Sequence, residues 1–184
     1  MFIQTEPTPN PATLKFLPGR VVMPSGTADF TDPAGAGNSP LAEALFLVDG
    51  VTGVFLGGDF VTVTKAEDQE WHVLKPSVLG VIMEHFTSGR PVLLEDSEAD
   101  GSVEVAEDDP VSAQIRELIE TRVRPAVAMD GGDITFQGFD HGVVYLSMRG
   151  ACAGCPSSTA TLKMGIENML KHYIPEVVEV RPVY

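Results

Sequence analysis

The 184-residue sequence has little sulfur and little positive charge. It carries two cysteines, Cys152 and Cys155, and 12 lysines and arginines against 26 aspartates and glutamates, a formal net charge of -14. Two cysteines are far too few for a secreted scaffold stapled by disulfides. The acidic balance opposes any sequence-independent grip on a phosphate backbone, so nucleic acid is not an expected partner. No run of about 18 apolar residues occurs, and a membrane is not an expected partner either. The opening Met1-Phe2-Ile3-Gln4-Thr5-Glu6-Pro7 has neither the basic cap and apolar stretch of a signal peptide nor the arginine-rich bias of a transit peptide. The expectation is a soluble, unexported chain. At 43% hydrophobic residues it has enough apolar material for a core.

The acids are unevenly spread. Residues 1–92 hold 10 acids and 5 bases, residues 93–110 hold 8 and none, and residues 111–184 hold 8 and 7. The middle stretch repels itself and has little to bury, which predicts an extended acidic linker between two small α+β domains, 1–92 and 111–184. In the first, Val54-Phe55-Leu56 and Phe60-Val61-Thr62-Val63-Thr64 flank Gly57-Gly58-Asp59, a hairpin pattern. Trp71-His72-Val73 reads as a third strand. Pro76-Ser77 is expected to open a helix carrying Val78, Val81, Ile82 and Phe86, and a shorter helix is expected from Ser39-Pro40. The proline-rich stretch Thr5 to Pro11 reads as a rigid surface lead-in rather than a strand.

The second domain is expected to run helix, strand, strand, helix, strand. Val111, Ile115, Leu118 and Ile119 share one helical face, which Pro125 should kink or end. Asp130-Gly131-Gly132-Asp133 reads as a turn. Ile134-Thr135-Phe136 and Val143 to Met148 make a hairpin across Asp140-His141-Gly142. Leu162, Ile166, Met169, Leu170 and Tyr173 then mark a strong amphipathic helix, and Val177 to Val183 a last strand.

The two cysteines stand between that hairpin and that helix, in Gly150-Ala151-Cys152-Ala153-Gly154-Cys155-Pro156. A position just ahead of a helix N-terminus should favour thiolate, the form that binds metal. A tetrahedral zinc site or an iron–sulfur cluster ordinarily takes about four protein ligands, and this chain has two thiols. His72, His85, His141 and His172 show no paired ligand spacing, and His85 and His172 fit as helix-surface or interface residues. Two copies about a two-fold axis would supply Cys152 and Cys155 twice and complete a four-thiolate set. The same residues leave two alternatives open: a dithiol–disulfide oxidoreductase, and a zinc-bridged structural dimer. Against the first, no βαβ unit precedes the motif.

The pattern Gly150-x-Cys152-x-x-Cys155-x-x-Ser158-x-x-Thr161-Leu162-x-x-Gly165-Ile166-Glu167, with Asp130-Gly131-Gly132-Asp133 upstream, resembles the C-terminal domain of the NifU/Nfu family. The first segment resembles the Nfu N-terminal domain through Phe2 to Pro11, Val54-Phe55, Asp59 to Lys65, Trp71 and Lys75-Pro76. The resemblance implies a non-enzymatic iron–sulfur cluster scaffold or carrier. In such a protein Cys152 and Cys155 would hold a [4Fe-4S] cluster across a homodimer, a [2Fe-2S] form on the same thiolates being the alternative. It implies cluster assembly proteins as donors and apo iron–sulfur proteins as recipients. The compartment expected is a bacterial cytoplasm, or the mitochondrial matrix for a processed eukaryotic chain.

Overall fold

The computed structural model describes residues 2–94, 109–153 and 156–183. The chain divides into two compact units, Met1–Gly101 and Ser102–Tyr184. Both mix helices with a sheet, which makes the protein α+β.

The first unit runs β1 (Gln4–Pro7), β2 (Thr13–Leu17), β3 (Ala28–Phe30), a 3-10 turn (Pro33–Asn38), α1 (Pro40–Phe46), β4 (Val51–Leu56), β5 (Val61–Lys65) and α2 (Trp71–Ser88). Its five strands lie in the order β1-β2-β5-β4-β3, every neighbour antiparallel. Phe16, Val54, Leu56, Val61 and Val63 from the sheet pack with Leu41, Leu45, Val78 and Ile82 from the helices. Ser39 starts α1 as expected: its hydroxyl accepts from the Ala42 N–H and donates to the Val92 carbonyl, while Pro40 takes the first helical position, where no donor is missed.

Two expectations for this unit are corrected. Trp71-His72-Val73 is the first turn of α2, not a strand. The buried stripe Leu74, Val78, Ile82, His85 has helical spacing that begins before Pro76, and Trp71 is anchored by its Nε1 donating to the Pro11 carbonyl at 3.2 Å. Pro76 therefore lies inside the helix, where it forfeits one hydrogen bond. The supposed lead-in contains β1, whose Pro7 sits at the end of an edge strand opposite Leu14, a place where a missing donor is tolerated.

The expected linker, 93–110, falls mostly on residues 95–108, which lie outside the described residues. At its ends, Leu93 packs on the first core, the Leu94 N–H donates to the Asn38 carbonyl, and Asp109 caps the first helix of the second unit.

The second unit begins with α3 (Pro110–Leu118), a π-helical segment (Ile119–Val123) and α4 (Arg124–Met129). The Asp109 carboxylate accepts from the N–H groups of Val111 and Ser112, and Ile115, Ile119, Val123 and Val127 form the buried stripe. Pro125 does not end the helix. The wide turn just before it, in which the Arg124 N–H reaches the Ile119 carbonyl, adjusts the bonding around a residue that has no donor of its own.

Next come β6 (Gly132–Asp140), β7 (Val143–Gly150), α5 (Pro156–Tyr173) and β8 (Glu179–Val183), the expected order of elements. His141 and Gly142 both take positive φ, 47° and 80°, as a tight two-residue hairpin turn requires. The sheet order is β6-β7-β8, with β6 antiparallel and β8 parallel to β7, so α5 is a crossover helix. Ile166 and Leu170 of α5 enter the core with Ile134, Leu146 and Val180, whereas Tyr173 stays half exposed beneath the Arg122 guanidinium. Among the described residues, no helix is long and apolar enough to cross a membrane.

Candidate functional site

The site is assembled where β6 begins and β7 ends. Gly132 lies opposite Gly150 in the ladder, and Asp133 opposite Arg149. Glycines at these strand ends make room for the cysteine turn. Gly131 and Gly150 both have positive φ, 82° and 67°, which lets α4 reverse into β6 and β7 curl toward Cys152. Gly132 is needed for a different reason: a Cβ there would come within 2.7 Å of the Cys152 sulfur and 2.8 Å of the Arg149 carbonyl. The upstream turn expected over Asp130 to Asp133 is thus shorter, with Gly132 and Asp133 already in the strand.

The turn itself is tied on two sides. The Ala151 N–H donates to the Gly131 carbonyl at 3.3 Å, and the Ala153 N–H to the Gly150 carbonyl at 3.1 Å. From the first turns of α5, the buried Thr159 hydroxyl donates to the Cys152 carbonyl at 2.9 Å. Cys152 is consequently fixed to the residue before β6, to the end of β7 and to α5. Its side chain is 7% exposed and belongs to the second core.

That burial reverses one expectation. Placement ahead of a helix was expected to favour thiolate, yet the Cys152 thiol is pushed up to about 12, chiefly by desolvation and further by the negative charges of Asp130 and Asp133. Removal from water outweighs a helix terminus that begins only at Pro156. Without a bound cation Cys152 is a neutral thiol at neutral pH, and a metal must displace its proton. Cys155, the other expected ligand, lies outside the described residues, as does Gly154.

A second group underlies the turn. Asp133, 4% exposed, receives the Arg124 guanidinium as a fork, Nε to Oδ1 at 2.9 Å and Nη2 to Oδ2 at 3.0 Å. Arg124 Nη1 also donates to Glu120 at 2.8 Å, and the Ile134 N–H to Asp133 Oδ1 at 2.8 Å. These partners hold the guanidinium charged far into alkali. On sequence grounds Arg124 and Thr159 had no role, and Asp133 was read only as part of a turn and of the family pattern. Glu120 and Arg124, four apart, were a readable helical ion pair, but the reach of Arg124 to Asp133 across the α4–β6 turn was not.

The histidines remain outside this cluster in kind. His72 and His172 are exposed on their helices, and His141 caps the hairpin next to Asp140. His85 departs from its expected surface role: in the first unit it is 5% exposed, its Nε2 has no hydrogen-bond partner, and burial with the nearby Arg90 charge holds its pKa below the usual value. Among the described residues, no three His, Cys, Asp or Glu side chains come together to hold a metal ion.

Comparison with known proteins adds independent findings. Residues 3–89 match the family described as "Scaffold protein Nfu/NifU N terminal", and residues 115–181 match "NifU-like domain". An Arabidopsis thaliana relative named "NifU-like protein 5, mitochondrial" is 54% identical over 96% of this chain and 66% of its own length. The Homo sapiens "NFU1 iron-sulfur cluster scaffold homolog, mitochondrial" is 51% identical over 100% of this chain and 72% of its own. Its namesake in Drosophila erecta is 53% identical over 100% of this chain and 65% of its own. The chain thus spans about two thirds of the length of the curated relatives it matches. The compartment in those names is the mitochondrion, which agrees with the matrix expectation rather than the bacterial one, and the descriptions are of scaffolds rather than of any catalytic family.

Proposed function

The chain belongs to the Nfu/NifU family of iron–sulfur cluster scaffold proteins, and from that premise we propose that Cys152 and Cys155 of two copies bind one [4Fe-4S] cluster as cargo and pass it to apo-proteins. The observation that carries this reading is the Cys152 turn. A thiol is held by backbone bonds to Gly131 and Gly150 and by the Thr159 hydroxyl, and glycine at 132 lets the strand pack directly against its sulfur. One chain has two thiols in all, and a cluster of this kind takes about four, so a second copy of the same turn is the economical source of the rest.

The electrostatics suit a carrier better than a permanent holder. Because burial and two carboxylates favour the protonated Cys152, each departure of cargo is assisted by a proton returning to the sulfur. The recipient's thiols lose protons as they take the cluster, so charge is conserved in the exchange. The same property argues against Cys152 as the attacking cysteine of a redox enzyme, which is an accessible thiolate of lowered pKa. Donors of the cluster are assembly proteins, recipients are apo-proteins with free thiols, and the first unit either recognises a partner or tunes the transfer.

Replacing either ligand tests the assignment. Cys152→Ser and Cys155→Ser, each reconstituted anaerobically with iron and sulfide, should lose the visible absorption of a cluster while keeping the far-UV circular dichroism of the native chain. Iron retained at the native stoichiometry in either variant would contradict the ligand assignment.

A further inference from the structure

The start of β6 forms the wall against which Cys152 rests, and a side chain from the preceding helix holds that wall. Arg124 is the first residue after the π-helical turn, and its guanidinium engages both oxygens of Asp133 while a third bond reaches Glu120. A carboxylate that is 4% exposed is costly without a cation, and the planar fork satisfies it with two charge-assisted bonds that an ammonium group cannot reproduce. Asp133 is locked in turn to its own strand through the Ile134 N–H. Its neighbour Gly132 is the residue whose Cα faces the Cys152 sulfur with no room for a methyl group. A shift of Asp133 by a fraction of an ångström therefore moves the surface under the sulfur.

We propose that Arg124 is a positioning residue for Cys152: through its fork on Asp133 it fixes the first residues of β6, so that Gly132 holds the sulfur in one place for shared binding of the cargo. The functional meaning rests on the cluster reading, whereas the geometry stands without it.

The test uses the full-length apo chain carrying Cys155→Ser, so that Cys152 is the only thiol, and follows its labelling by a maleimide at one neutral pH. Arg124→Lys, which keeps the charge and loses the fork, and Arg124→Gln should each label about ten-fold faster or more, as loss of a charge-assisted bond eases local opening. Ile115→Val lowers the stability of the same core without touching the fork, and it should leave the rate within about two-fold. Labelling of Arg124→Lys at the unaltered rate would overturn the role of the fork. Equal acceleration by Ile115→Val would overturn positioning in favour of general loosening. With both cysteines present, the Arg124→Lys chain should also yield its iron to a chelator faster than the native chain. Failure of the native chain to take up iron would contradict the cluster reading and leave the labelling result intact.

Discussion

The two units solve different problems with similar material. The first closes a five-stranded antiparallel sheet with two helices and has no cysteine; the second carries a smaller three-stranded sheet and both cysteines of the chain. In the first, buried polar groups serve the fold, as where Ser39 joins α1 to the Val92 carbonyl. In the second they converge on one turn, with Thr159, Gly131 and the Arg124–Asp133 pair all acting within a residue or two of Cys152 or Gly132. The lesson is that the unit with the cysteines is the one in which side chains have been pared away at strand ends and replaced by backbone contacts.

That contrast breaks most sharply at glycine. Gly132→Ala places a methyl group 2.7 Å from the Cys152 sulfur and 2.8 Å from a carbonyl oxygen, and should destabilise the chain by about 2 kcal/mol while displacing Cys152. Gly80→Ala, mid-helix in α2 of the first unit, meets nothing within 4 Å and should instead stabilise by about 0.5–1 kcal/mol. Urea unfolding of both variants measures the difference, and two values of the same sign would remove the contrast.

A smaller effect separates the units by pH. His85 has a folded pKa below its ordinary 6.5, so as pH falls beneath that value the unfolded chain binds a proton the folded first unit refuses. The contribution of neutral His85 to its stability is complete above about pH 6.5 and declines on the acid side. Cys152 has a folded pKa raised from 9.0 to about 12, so the unfolded chain loses a proton first as pH rises. The stability that the buried Cys152 thiol contributes to the second unit is then full below 9.0 and declines between there and about 12. Scanning calorimetry of the apo chain from about pH 5 to about pH 10.5 should show both declines, with Cys152→Ala flattening the alkaline one alone. An alkaline decline unchanged in that variant would place its origin elsewhere.

The parts that were legible in sequence are the local ones. The β4–β5 and β6–β7 hairpins follow from turn glycines between β-branched runs, α1 from Ser39-Pro40, and α5 from the spacing of Ile166 and Leu170. What was not legible depended on distant partners. Gln4–Pro7 became a strand because β2 is available to pair with it at the sheet edge. Trp71 joined a helix because Pro11, sixty residues earlier, takes its indole N–H. Cys152 and Cys155 stood out by spacing, and the family resemblance implied a cluster as their ligand. Neither disclosed that Cys152 is buried against Gly132, which reverses the direction in which its thiol is shifted. The fork from Arg124 to Asp133 escaped notice because a turn, not a periodicity, brings them together.

The most direct test of the shared-cluster reading is iron and acid-labile sulfide per chain, measured with solution mass on protein reconstituted without oxygen. A dimer with about two iron and two sulfide per chain is the predicted result, because four thiolates from two copies then hold one [4Fe-4S] cluster. A monomer carrying about four iron, or a monomer without iron that cycles between dithiol and disulfide, would contradict it.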